Sequence, residues 1–91
     1  MNPNLKVYVS VEVSIGKDGG MRPLSIEWEN GRVYLIDRVT DVRMGTAMRS
    51  GGTGDRYTIW IDGHKSYLYF ERSEKLFGPN IGRWFVERKA A

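Results

Sequence analysis

The residues best equipped for chemistry in this chain are cations interleaved with aromatic rings. Nine of the 14 basic residues are arginine, and the chain carries three Trp, five Tyr and three Phe. From the middle of the sequence onward come Arg43 and Arg49, and then Arg56, Trp60, Lys65, Tyr67 and Tyr69, which interleave the two types. Guanidinium groups present a planar fork that matches phosphate, and flat rings offer stacking platforms to bases. Together these residues form a candidate surface for nucleic acid. The same face is equally suited to packing against other strands or against protein. Gly51, Gly52 and Gly54 add a second candidate, an anion-contacting loop in which backbone N–H groups cradle a phosphate beside Arg49 and Arg43. No Lys-Ser/Thr follows these glycines and no helix pattern succeeds them, so neither a Walker nor a dinucleotide fingerprint is present. The alternative reading of the segment is a solvated connection.

The inventory for catalysis is poor. Cysteine is absent and His64 is the only histidine, which excludes thiolate and His-rich metal sites and leaves a Ser–His–Asp arrangement without diagnostic spacing. Asp37 and Asp41 are the most suggestive carboxylates, but four residues of strand separate them by roughly 13 Å. The expectation is therefore a non-enzymatic binding module with no catalytic residue, no metal and no cofactor.

At 91 residues and 41% hydrophobic, the chain is expected to form a single β-domain, residues 1–91, with one core. No apolar run approaches the roughly 18–20 residues of a membrane span, and the first residues lack a signal-peptide pattern, so a cytoplasmic protein without membrane contact is expected.

Period two dominates the elements that must position these groups. Leu5, Val7, Val9, Val11, Val13 and Ile15 alternate with mostly polar residues, which reads as one long half-buried strand. Lys17-Asp18-Gly19-Gly20 reads as a turn. Asn30-Gly31 predicts a two-residue hairpin with Glu29 opposite Arg32, Trp28 opposite Val33 and Ile26 opposite Leu35. The inner face would then hold Leu24, Ile26, Trp28, Val33 and Leu35. That register turns Asp37 inward, so a β-bulge near residues 36–38 is expected to return Val39 to the core, the alternative being a buried, paired Asp37. Asp62-Gly63 predicts a second tight hairpin, with Tyr57, Ile59, Ile61, Leu68 and Phe70 on one face and Arg56, Thr58, Trp60, Lys65, Tyr67 and Tyr69 on the other. Residues 83–88 read as a last strand, and residues 44–55, with four glycines, as a long flexible loop. No segment has helical periodicity. The fold expected is all-β: a six-stranded antiparallel meander, closed as a small barrel or a strongly curled sheet.

The run from Arg22 to Val39, then Gly51-Gly52-Thr53-Gly54-Asp55-Arg56-Tyr57 and finally Gly82-Arg83-Trp84-Phe85-Val86, resembles a small bacterial family of uncharacterised all-β domain proteins. More distantly it is similar to a β-domain appended to some Y-family DNA polymerase-related proteins. The shared positions are turns and core aromatics, so the resemblance implies a fold and, only through the company the domain keeps, nucleic acid. The first function expected is contact with nucleic acid through the Arg/aromatic face. The second is a homo-oligomeric or adaptor domain that turns the same face to protein.

Overall fold

The computed structural model describes residues 5–46, 53–73 and 78–88. They form seven antiparallel strands: β1 Lys6–Ile15, β2 Met21–Glu27, β3 Val33–Leu35, β4 Arg38–Thr46, β5 Thr53–Ile61, β6 His64–Arg72 and β7 Gly82–Glu87. One strongly curled half-barrel sheet contains them all, in the order β3-β2-β1-β7-β6-β5-β4. The all-β, curled architecture is as the alternation dictates, and the count of seven against six has a simple origin. Chaining the antiparallel pairs around the sheet shows that β3 and β4 run in the same direction. They are two halves of one long strand that changes partner. The Ile36 amide donates to Leu24 O of β2 at 2.9 Å, and the next amide, Asp37, donates to Trp60 O of β5 at 2.8 Å. Two consecutive residues thus bond to opposite ends of the sheet, which forces the sheet to roll up.

This break replaces the β-bulge expected at residues 36–38. Val39 packs against the core as anticipated, whereas Ile36, which the two-residue hairpin register would turn outward, packs there too. Asp37 is exposed, and its carboxylate accepts the Asp62 amide at 2.8 Å, tying the break to the neighbouring hairpin turn.

The core fills the inside of the curl. Ile26, Tyr57, Ile59, Leu68, Phe70 and Trp84 are buried together, and Val9, Val11, Val13 and Val86 pack against them. The Asp62-Gly63 hairpin has the expected two-residue loop, with φ of 51° and 77°, and it pairs Ile61 with His64, Trp60 with Lys65 and Tyr57 with Leu68. Every assignment of its inner face holds.

The Asn30-Gly31 turn differs. Its loop has three residues, Glu29, Asn30 and Gly31, with Trp28 N donating to Arg32 O and Gly31 alone at positive φ, 85°. The Asn30 side chain accepts the Arg32 amide at 2.9 Å, which holds this alternative loop shape. The register therefore sets Ile26 opposite Tyr34 and Glu27 opposite Val33. One residue of slip moves Val33 and Leu35 to the outside, where they are 56% and 72% exposed. Leu24 also leaves the inner face. The β1–β2 register shifts between Glu12 and Val13, so that Val13 pairs with Pro23 and Glu12 with Ser25, and Leu24 is the extra residue. Pro23, which has no N–H to give the ladder, takes the buried position beside this bulge.

Candidate nucleic-acid interface

The outer surface of β4–β5–β6 carries most of the sequence-assigned contact residues. Pairing across the strands sets Arg43 opposite Arg56, Arg56 opposite Tyr69, Thr58 opposite Tyr67, and Trp60 between Arg38 and Lys65. The alternation of β5 and β6 turns the Tyr57, Ile59, Leu68 and Phe70 side chains into the core. Arg56, Trp60, Lys65 and Tyr67 must therefore face out.

Two cation–aromatic stacks occupy this face. The Arg38 guanidinium lies 4.5 Å from the Trp60 ring centre, and Arg56 lies 4.6 Å from that of Tyr67, with the Lys65 ammonium 5.9 Å away. Trp60 and Tyr67 are diagonal cross-strand neighbours, a relation that spaces Cα atoms about 7–8 Å apart. The Trp60 indole N–H donates to Thr40 Oγ1 at 3.2 Å, which fixes the ring against β4. Thr40 sits where the β4–β5 register shifts, and that bulge brings its hydroxyl beside the indole. Arg43 is engaged by Asp41, Nε to Oδ2 at 2.7 Å.

Tyr69 departs from the expectation of an accessible platform, being 3% exposed. Its ring stacks on Phe85 at 4.9 Å between centres and 10° between planes, and Phe85 is fully buried. Burial pushes the Tyr69 phenol up, as do the nearby Glu87 charge and a side-chain hydrogen bond to Glu87, against an opposing pull from Arg56. Arg56 itself is half-buried, and its Nε has no hydrogen-bond partner. Tyr69 thus belongs to a second, outer core rather than to a contact surface.

The 44–55 loop is also corrected. Residues 44–46 belong to β4 and residues 53–55 to β5, and Gly45 pairs with Gly54. A Cβ on Gly54 would stand 2.6 Å from the Phe70 carbonyl oxygen, so this glycine permits close strand approach and is no part of an anion nest. Arg49, Gly51 and Gly52 lie outside the described residues.

Sequence reasoning missed a second cation–aromatic group farther round the same face. Arg83 lies 4.0 Å from the Tyr8 ring centre and Lys6 lies 4.6 Å from that of Phe85. Arg38 was missed as well. The signal for Tyr8 was its place as the one ring among the polar gaps of β1. Arg38 could have been read from its alternation with Val39.

An open concavity of about 470 Å³ lies elsewhere, between Ile15, Met21, Tyr57, Phe70, Arg72 and Ile81, and includes none of the sequence-assigned contact residues. Among the described residues no group of three or more His, Asp or Glu is placed to hold a metal ion, and no helix is long and apolar enough to cross a membrane. No protein-family model matches the chain, and neither the curated proteins nor the solved structures yield a match.

Proposed function

We propose that the protein binds single-stranded nucleic acid on the outer surface of β4–β5–β6, without covalent chemistry. The observation that carries this reading is the pair of diagonal stacks, Arg38 on Trp60 and Arg56 on Tyr67. Each stack offers a base a flat π or guanidinium surface next to a cation suited to the backbone phosphate. A formal charge of +3 favours the approach of a polyanion. The resemblance of residues 22–88 to a domain appended to polymerase-related proteins points the same way. A cytoplasmic location, where such a ligand is plentiful, fits the reading.

Titration of labelled single-stranded and duplex oligonucleotides at two salt concentrations tests it. Single strands are expected to bind more tightly, with affinity falling as salt rises. Trp60→Ala and Tyr67→Ala should each weaken binding by about 1–3 kcal/mol, or roughly five- to 150-fold. Arg38→Ala should also lower the salt slope by about 0.7. Binding that is undetectable at low salt, or indifferent to salt, removes the proposal. If Trp60 then proves shielded from an aqueous quencher in a species heavier than 10.4 kDa, the face is a protein contact instead.

A further inference from the structure

The rolled sheet leaves two ends, and they are unequal. β3 is three residues long, whereas β4 is nine, and no strand among the described residues pairs with its outer side. Long open edges present a row of backbone donors and acceptors to any extended chain, and folded proteins blunt them with charge, brevity or Pro. β4 carries charges at Arg38, Asp41 and Arg43 and a bulge at Thr40, but beyond that bulge its inner side has no charge or Pro to blunt it. Val42 is 50% exposed and Met44 86%, although both belong to the inner, core-facing side of the strand, opposite Tyr57 and Asp55. The apolar inner surface therefore runs up to the edge and stops uncovered.

We infer that two copies of this chain pair antiparallel along β4, making one continuous sheet across a two-fold axis. A two-fold normal to the sheet must pair residues that point to the same side, so the axis passes through a residue rather than between two. Of the central positions, Arg43 would oppose itself and repel. Met44 would leave Asp41 and Arg43 without a charged counterpart. Val42 at the axis sets Asp41 of each copy opposite Arg43 of the other, and lays Val42 against Val42 on the inner side. The Asp41–Arg43 pair, 2.7 Å apart within one copy, then becomes half of a four-charge cluster. The three residues Asp41, Val42 and Arg43 are thus self-complementary in charge and in apolarity about one point, and the Thr40 bulge, which falls opposite Met44, bounds the shared ladder. Charge complementarity favours a second copy over an unrelated strand as the occupant. This inference concerns the strand edge and stands apart from the nucleic-acid reading of the outer face.

The test uses the full chain without oligonucleotide and reads mass by sedimentation across a concentration series. The wild type should shift from 10.4 kDa toward twice that mass. D41R and R43D should each associate at least tenfold more weakly, because each sets like charges across the axis. An equimolar mixture of D41R with R43D should recover the heavier species, since the two variants complement one another. Circular dichroism confirms that both keep the β signature. Should either lose its fold, Val42→Lys serves as a second edge variant and should also be monomeric. A wild type that stays at monomer mass up to its solubility limit overturns the proposal. So does a wild-type dimer whose mass is indifferent to D41R, R43D and Val42→Lys, or one for which the mixture of folded variants fails to recover association.

Discussion

Glu71 shows how much a single side chain on the outer face organises. Its carboxylate accepts from Lys6 Nζ at 2.6 Å and the Tyr8 hydroxyl at 3.1 Å, both on β1, and from Arg83 Nη2 at 3.0 Å on β7. Partial burial disfavours its charge, but these hydrogen bonds outweigh that penalty and hold it below the usual carboxylate range. A carboxylate depressed in the folded state contributes stability above its unfolded pKa and forfeits it as pH falls through the folded value. Lys6 mirrors this. Burial works against its charge, yet Glu71 and Tyr8 raise its pKa, so its contribution holds below the ordinary lysine range and is lost as pH rises through the raised value. Glu71→Gln should therefore cost about 1–2 kcal/mol at neutral pH, discounted for partial solvent exposure. It should also flatten the decline in stability below about pH 4.5. Urea midpoints measured from neutral to acid pH check both; an acid limb as steep as that of the wild type would show that Glu71 does not drive it. None of this cluster was legible from the sequence. It depends on β7 lying between β1 and β6, a neighbourhood that local pattern does not encode. The burial of Tyr69 on Phe85 escaped for the same reason.

At the scale of elements, local chemistry was readable wherever one turn geometry satisfied it. Asp62-Gly63 takes positive φ at both positions, and its hairpin follows in full. Asn30-Gly31 supports two loop lengths, because Gly serves either the second place of a two-residue loop or the last of a three-residue one. Here Asn30 bonds to the Arg32 amide and the longer loop results, with every residue of β3 on the other face. Glycine richness misled in a different way at residues 44–55, where Gly45 and Gly54 are ladder positions. These turns also give a clean energetic test. Gly31 and Gly63 have open space where a Cβ would stand, so alanine there meets conformational cost alone. Gly31→Ala and Gly63→Ala should each destabilise by about 1–2 kcal/mol. Chemical denaturation measures this, and equal midpoints for wild type and variants would contradict the loop geometry described.

For the molecule as a whole, the decisive feature is a ring of pairings with one gap. β1 joins β2 and β2 joins β3; β4, β5, β6 and β7 follow in chain order, and β7 returns to β1. Among the described residues the β1–β7 pair is the one ladder that unites sequence-distant segments, bringing the Arg88 amide to within 2.6 Å of Leu5 O. The gap falls between β3 and β4, which the chain itself bridges at residues 36–37. Folding rates fall as contacting residues become more distant in sequence, because loop closure must precede the contacts that reward it. A circular permutant that joins residue 91 to residue 1 and opens between Ile36 and Asp37 would make every ladder a local hairpin, in the order β4-β5-β6-β7-β1-β2-β3. It should fold faster than the natural order, by stopped-flow fluorescence of Trp84 in the core. It should also unfold at lower denaturant, because the covalent bridge that holds the sheet's two ends together has been cut. The two effects oppose each other on stability and separate in kinetics: the folding limb rises, and the unfolding limb rises further. A permutant that folds more slowly would mean that the bridge at Ile36–Asp37, rather than the β1–β7 ladder, organises the transition state, and that rolling of the sheet precedes its closure.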